Sequence, residues 1–130
     1  MLMNAPAVIV EILQALRDLY QKGEEHTVYI NKLPLTEEDR LTLLDVLGDG
    51  QVRISLKSGG QRVEWRETGI SGVWIGVFYD RDEKPLLETI EVCYFPSLAK
   101  VQEEDLQDSI QRLEERLKIL LPEASKDSLT

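Results

Sequence analysis

The segment GVWIGVFY, at residues 72–79, constrains the fold of this chain more than any other feature. Read with a period of two, it places four apolar side chains on one side of a strand and Trp74 and Phe78 on the other. Because both sides are apolar, the pattern predicts a central strand of the sheet.

Two glycines interrupt this apolar strand. Gly72 and Gly76 alternate with Trp74 and Phe78 along one side. Glycine is unfavourable inside a strand, so its presence indicates close approach by a backbone or an aromatic ring. One interpretation is cross-strand packing, with an aromatic ring covering each glycine. The other is a shallow groove for a partner segment, floored by the glycines and walled by Trp74 and Phe78, since tryptophan often anchors interfaces.

Helical periodicity and capping signals predict three helices, at about residues 6–22, 36–47 and 103–121. In the first helix, the predicted inner stripe is Ile9, Leu13, Leu16 and Tyr20, with Ile12 and Leu19 beside them. In the second, Thr36 and Asp39 predict a capping box, and the inner stripe is Leu43, Leu44 and Leu47. In the third, the stripe is Leu106, Ile110, Leu113, Leu117 and Leu120.

The remaining strands surround the central one. HTVYIN at residues 26–31 is a short strand, and LLETIEVCYF at residues 86–95 follows the central strand. Between the second helix and the central strand, QVRISLK and QRVEW form a hairpin. A Gly59-Gly60 turn sets Leu56 opposite Val63 and Ile54 opposite Trp65, which buries all four on one face.

These elements predict an α+β fold, an antiparallel sheet of four to five strands packed against about three helices. We expect a single domain over residues 1–130, with residues 122–130 as a mobile tail. Antiparallel meanders bury one face against helices and leave the other partly solvated, so the outer face of the hairpin is expected to be wet.

The charge and cysteine content narrow the class of partner. The net charge of -9 argues against nucleic acid, which needs a basic footprint, and against anionic membrane surfaces. The only cysteine, Cys93, allows no intrachain disulfide, which suits a reducing compartment such as the cytoplasm. The N-terminal segment resembles an amphipathic helix more than a signal peptide, and no apolar run reaches the roughly 20 residues of a membrane span.

No catalytic or metal-binding constellation is legible in the sequence, and no cofactor is predicted. Metal motifs and nucleotide-binding loops are absent, and one histidine gives no confident catalytic triad. Among the carboxylates, Glu91 is the best candidate for a chemical role, because Thr89 and Cys93 flank it on the same predicted face. A small enzyme or metal-binding protein that uses Glu91, Cys93 and His26 therefore stays open as an alternative.

Several motifs together carry a family likeness. Along the chain these are LGDGQV at residues 47–52, ETGISGVW at 67–74, LLETIEV at 86–92 and QEEDLQDS at 102–109, in that order. The arrangement resembles the C-terminal conserved region of the HupH/HyaF family of hydrogenase expression and maturation proteins. The positions that match the family's pattern are Glu67, Thr68, Gly72, Val73, Trp74 and Glu91.

The resemblance implies an accessory, chaperone-like factor, not an enzyme, for assembly of [NiFe] uptake hydrogenases. Its partner would be the iron–sulfur small-subunit precursor or another maturation protein. Family members are typically about twice this length, so the resemblance implies that a stand-alone domain either lacks half of the usual partner surface or forms a homodimer that replaces it. The residues predicted to bind the partner are Glu67, Thr68, Gly72, Trp74, Gly76, Phe78 and Glu91. A general protein-interaction domain unrelated to hydrogenase is the alternative.

Overall fold

The structure is a computed structural model that describes residues 4–123, except for the side chain of Ser58. In chain order its elements are α1 (Ala5–Lys22), β1 (His26–Tyr29), α2 (Glu37–Leu47), β2 (Arg53–Ser58), β3 (Gln61–Glu67), β4 (Val73–Tyr79), β5 (Pro85–Val92) and α3 (Glu103–Leu120). Short 3-10 turns follow β1 and β5. The α+β class is confirmed. The mobile tail predicted from residue 122 falls almost entirely outside the described residues.

The chain divides into two compact units, with the boundary between Ala99 and Lys100. The second unit contains α3, which opens with Glu103, Glu104 and Asp105, where the helix dipole favours negative charge. The helix ends at Leu120, two residues before Pro122, because the residue that precedes a proline is disfavoured in the helical conformation and Leu121 is extended. The predicted bounds of this helix agree with the structure to within a residue.

All five strands belong to one antiparallel sheet of the first unit, in the order β1-β5-β4-β3-β2. β4 lies in the middle of the sheet, as its two apolar sides predict. β1 pairs with the edge of β5 that does not pair with β4. The sheet therefore has the larger of the two predicted strand counts. β5 ends at Val92, so Cys93 lies just beyond it and not within a strand as predicted.

The hairpin of β2 and β3 has the predicted register. Gly59 and Gly60 both have positive φ, 59° and 82°. A two-residue turn with this backbone conformation matches the right-handed twist of the two strands, and glycine adopts it most easily. Leu56 therefore pairs with Val63, and Ile54 with Trp65. Burial differs from the prediction, because only Trp65 is fully buried and the other three side chains are half-buried.

The main hydrophobic core lies between one sheet face and the helices α1 and α2. We call this the helix face. The buried side of α1 is formed by Ala5, Val8, Ile12, Ala15 and Leu19. The predicted stripe was wrong in part: Leu13 and Tyr20 are exposed, and Leu44 of α2 is exposed too. Two of the five buried positions of α1 are alanines, which a search for large apolar residues passes over.

Asp39 ties the starts of the two helices of the core together. Its side chain and that of Thr36 form the predicted capping box of α2, which is confirmed. The same carboxylate also accepts hydrogen bonds from the backbone N–H groups of Asn4 and Ala5, at 3.1 and 3.0 Å, where α1 begins. Asp39 is fully buried, so one carboxylate caps two helices inside the core.

Candidate functional site

The sheet face opposite α1 and α2, here called the far face, carries a second apolar cluster. Residues paired directly across antiparallel strands share a face, and the register places Ile54, Trp65 and Gly76 together on this one. Trp65, Trp74 and Cys93 are the buried members of the cluster. The expectation that the hairpin turns its apolar side inward, towards the helices, is therefore wrong, because that side faces away from α1 and α2. Its polar side is open to solvent at Arg53 and Ser55, as expected.

A polar cluster lies in the middle of the far face. One oxygen of Glu91, Oε2, accepts a hydrogen bond from the indole Nε1 of Trp65 at 2.8 Å and another from the hydroxyl of Thr89 at 2.8 Å. Trp65 and Thr89 are buried, while Glu91 is half-buried. Hydrogen bonds to a carboxylate are stronger than those between neutral groups, so they hold both neighbours in fixed orientations.

Gly76 provides the space for this cluster. A Cβ at this position would lie 2.5 Å from the Thr89 hydroxyl, 2.7 Å from Glu91 Oε2 and 3.1 Å from Cδ1 of Trp65. The close approach of an aromatic ring that the sequence predicts at this glycine is confirmed. Trp65 also makes an edge-to-face contact with Phe78, with 6.0 Å between ring centroids.

We expect Gly76→Ala to lower the free energy of unfolding by about 1–3 kcal/mol, the usual range for overpacking a filled site. The added methyl would displace Glu91 or Thr89 and strain the hydrogen bonds that Glu91 accepts from Trp65 and Thr89. Urea denaturation measures the change. The same substitution in a Thr89→Ala background should cost less, because the nearest obstructing atom is gone. Equal costs in both backgrounds would contradict this account of the glycine.

Gly72 lies outside β4 and has a different role from Gly76. It belongs to the turn before the strand, with a φ of 89°, and a Cβ there would meet Leu16 and Leu19 of α1. The prediction that Gly72 shares one strand side with Trp74 and Phe78 is therefore wrong. The turn breaks the alternation, which a sequence pattern of period two does not reveal.

Thr68 stabilises the same turn. It is buried, and its hydroxyl donates to the carbonyl oxygen of Val73 at 2.9 Å and accepts from the backbone N–H of Ile70 at 3.1 Å. Side-chain hydrogen bonds of this kind replace backbone partners in a turn. In the structure, Thr68 therefore stabilises the turn that connects β3 and β4.

Trp74 belongs to the interior of the far-face cluster. Only 3% of its surface is exposed, and its indole N–H donates to the carbonyl oxygen of Cys93 at 3.1 Å. Its ring meets that of Phe95 edge to face, at 6.1 Å between centroids. A wall of an open groove, as one interpretation had it, would leave more of the ring accessible.

The structure brings five of the seven predicted site residues together on the far face. These are Glu67, Trp74, Gly76, Phe78 and Glu91. Thr68 and Gly72 lie in the connection between β3 and β4. That these residues bind a partner stays a prediction.

Sequence reasoning missed a surface beside them. Four half-buried apolar side chains of three adjacent strands, Ile54, Leu56, Val63 and Phe78, pack against the far-face cluster. We call these four residues the far-face patch. The alternation in β2 and β3 showed that they share a side, but it did not show that this side faces away from the helices.

The residues of the alternative enzyme or metal site do not come together. His26 pairs with Val92 on the helix face, and its Nε2 lies 2.7 Å from Glu11. Cys93 is buried in the far-face cluster. Within residues 4–123, no three or more histidine, cysteine, aspartate or glutamate side chains are grouped as metal ligands would be.

The geometry defines a class: an α+β domain whose five-stranded antiparallel sheet has a helix-covered core on one face and a second apolar cluster on the other. Residues 2–120 match the family model described as HupH hydrogenase expression protein, C-terminal conserved region, and the chain belongs to this family. The resemblance found in the sequence is confirmed. In the part of the chain that the structure describes, no helix has both the length and the apolarity needed to cross a bilayer.

Similar proteins carry related names. The chain is 39% identical to the hydrogenase expression/formation protein HupH of Rhodobacter capsulatus, over 90% of this chain and 42% of that protein. It is 34% identical to the hydrogenase-1 operon protein HyaF of Escherichia coli, over 88% of this chain and 39% of that one. The chain thus spans about two fifths of the length of the curated relatives it matches.

A solved structure has the same fold. The hydrogenase expression protein HupH from Thiobacillus denitrificans superimposes with a TM-score of 0.81 at 31% sequence identity. The match covers 88% of this chain and 94% of the solved chain.

Proposed function

We propose that this domain acts in hydrogenase maturation as an accessory, chaperone-like factor in the cytoplasm, which binds a protein and performs no catalysis itself. Its partner is the iron–sulfur small-subunit precursor of a [NiFe] uptake hydrogenase or another maturation protein. The observation that carries the proposal is the family match over residues 2–120, together with relatives named for hydrogenase expression and formation.

The far-face patch supports a binding role. Its four half-buried apolar side chains lie next to two tryptophans that are already fixed by hydrogen bonds and ring contacts. The buried centre of a protein interface is typically apolar and surrounded by polar groups. Glu67 and Glu91 supply such polar groups on the same face. A rigid patch also loses little conformational entropy when a partner covers it.

A deletion strain of the organism that carries the gene tests the proposal. We expect hydrogenase activity to fall and to return when the wild-type chain is supplied. Leu56→Lys, which places a charge in the far-face patch, should restore less activity. Val10→Lys, on the exposed side of α1, adds the same charge elsewhere and should restore activity fully. Circular dichroism melting curves of both variants establish that they fold.

Affinity purification from the same cells gives the second readout. The tagged wild-type chain and Val10→Lys should recover a small-subunit precursor or a maturation protein, while Leu56→Lys should recover less. Unchanged hydrogenase activity in the deletion strain, together with no hydrogenase component in the purified material, would refute the proposed function.

A further inference from the structure

The helix face of the sheet is only partly covered by helices. The core cluster that α1 and α2 form includes residues of β1, β4 and β5 but none of β2 or β3. The side chains that β2 and β3 direct to this face include Arg53, Ser55, Glu64 and Arg66, which face one another across the hairpin. A polar surface therefore continues directly from the edge of the core.

A groove runs along the boundary between this polar surface and α2. Two cavities, of about 350 and 270 Å³, share Arg66, Ile75, Val77 and Tyr79 as lining residues. Their shared floor is the apolar side of β4, and one wall is the leucine side of α2, including the exposed Leu44. We call this feature the arginine groove, because Arg40, Arg53 and Arg66 line it.

Cations border the groove although the whole chain carries a net charge of -9. Arg53 lines one of the cavities, Arg40 lines the other, and Arg66 lines both. Arg62 lies over the ring of Tyr79, with 3.9 Å between the guanidinium carbon and the ring centroid. Glu64 and Glu88 also line the cavities, so three arginines face two carboxylates there, a local excess of positive charge in an otherwise acidic molecule.

Arg62 pairs with both Glu64 and Glu83, whereas the charges of the three arginines that line the groove are only loosely neutralised by the chain itself. Arg66 pairs with Asp49 at 2.8 Å, but the Asp49 side chain is 80% exposed. Arg40 pairs with Glu88 at 3.3 Å, and both side chains are partly exposed. Arg53 makes no ion pair with any residue in the described range. Exposed ion pairs contribute little free energy, so a partner carboxylate can exchange with them at small cost.

We infer that the arginine groove binds an acidic amphipathic segment of a protein partner, in which apolar side chains enter the groove and aspartate or glutamate side chains meet the arginines. The inference rests on the proposed function, because it assumes that the domain binds a protein. It adds a second contact, on the sheet face opposite the far-face patch, and states which side chains of the partner would be bound there. Guanidinium groups form paired hydrogen bonds with carboxylates, and such pairs give orientation as well as attraction.

The apolar floor favours a peptide over a nucleic acid. Binding of a phosphate backbone needs a broad basic surface, whereas here three arginines border the apolar side chains of β4 and α2. A basic segment would meet repulsion from the arginines at the rim. Charge therefore selects among amphipathic segments that fit the apolar floor equally well.

Peptide display on the purified full chain tests the inference, with a random library of 12-residue peptides as the probe. We expect the enriched peptides to combine aspartate or glutamate with leucine, isoleucine or phenylalanine. Fluorescence anisotropy of an enriched peptide should show binding at least tenfold weaker to the double variant Arg53→Glu with Arg66→Glu. Binding should also weaken as salt is raised, because exposed charges are screened.

The double variant Lys22→Glu with Lys32→Glu is the matched control, since it changes the net charge equally and involves no residue that lines the arginine groove. Its affinity for the enriched peptide should stay within about twofold of wild type. If the glutamate variant melts early, Arg53→Gln with Arg66→Gln removes the two positive charges without adding negative ones and should still weaken binding severalfold.

Three outcomes would overturn the inference. They are the absence of enriched peptides, enrichment of basic or uncharged peptides, and equal loss of affinity in the arginine variant and the lysine control. If a hydrogenase component still copurified in any of these cases, the proposed function would be retained and only the binding role of the arginine groove would be refuted.

Discussion

Trp74→Ala is expected to lower the free energy of unfolding by about 3–5 kcal/mol, the range for removing a large buried aromatic side chain. The substitution deletes an indole that is 97% buried and leaves a cavity in the far-face cluster. It also removes the donor for the carbonyl oxygen of Cys93 and the edge contact with Phe95. Urea denaturation followed by far-ultraviolet circular dichroism measures the change.

Tyr20→Ala is the matched control. It removes another aromatic ring, but this ring is 87% exposed on α1, so the free energy of unfolding should change by no more than about 0.5 kcal/mol. A Trp74→Ala protein that kept wild-type stability and lost only partner binding would support the interpretation of Trp74 as the wall of an open groove. That result would contradict the burial seen in the structure.

The central strand and the hairpin were predictable because local features determine them. Alternation of side chains in β4 depends only on the geometry of an extended chain. The hairpin register depends on two consecutive glycines with positive φ, and the sequence displays both of them at residues 59 and 60. No distant contact is needed for either conclusion.

The assignment of sheet faces could not be predicted, because it depends on where distant elements dock. Alternation shows that Ile54, Leu56, Val63 and Trp65 share a side, but not that this side is the far face. That outcome requires the β3–β4 register, which places Trp65 opposite Gly76. The sequence suggested a single core, whereas the twisted meander has apolar clusters on both of its faces.

The buried side of α1 was misjudged for a related reason. Counting large apolar residues favours Leu13 and Tyr20, but burial follows the close approach of the helix to its neighbours. Ala5 and Ala15 are small enough to permit that approach, and they occupy two of the five buried positions of the helix. Small side chains carry little weight in a hydrophobic pattern, although they decide how near two elements can come.

The candidate site was predictable in composition and not in arrangement. The sequence singled out Gly76 and Glu91 separately, but their contact with Trp65 joins three strands that are adjacent only in the folded sheet. Nothing in the sequence pattern singled out Arg53 or Arg66. Their position beside an apolar groove follows from how far α2 extends over the sheet, which no local pattern encodes.

Asp39→Ala should lower the free energy of unfolding by about 2–4 kcal/mol, because it removes the caps of two helices and each cap is worth about 1–2 kcal/mol. Oδ1 accepts from the N–H of Ala5 and Oδ2 from that of Thr36, while both oxygens contact the N–H of Asn4. These donors would be left without their acceptor in a buried site, which makes the loss larger than for an exposed cap.

Two further variants separate double capping from a general effect of charge. Asp45→Ala removes an exposed aspartate from the same helix and should change the stability by no more than about 0.5 kcal/mol. Asp39→Asn keeps one acceptor oxygen but turns an NH₂ group towards backbone donors, so its loss should lie between those of the two alanine variants. If Asp39→Ala cost no more than Asp45→Ala, the carboxylate would not be what joins α1 to α2. Packing between the helices would then have to hold their first turns together unaided.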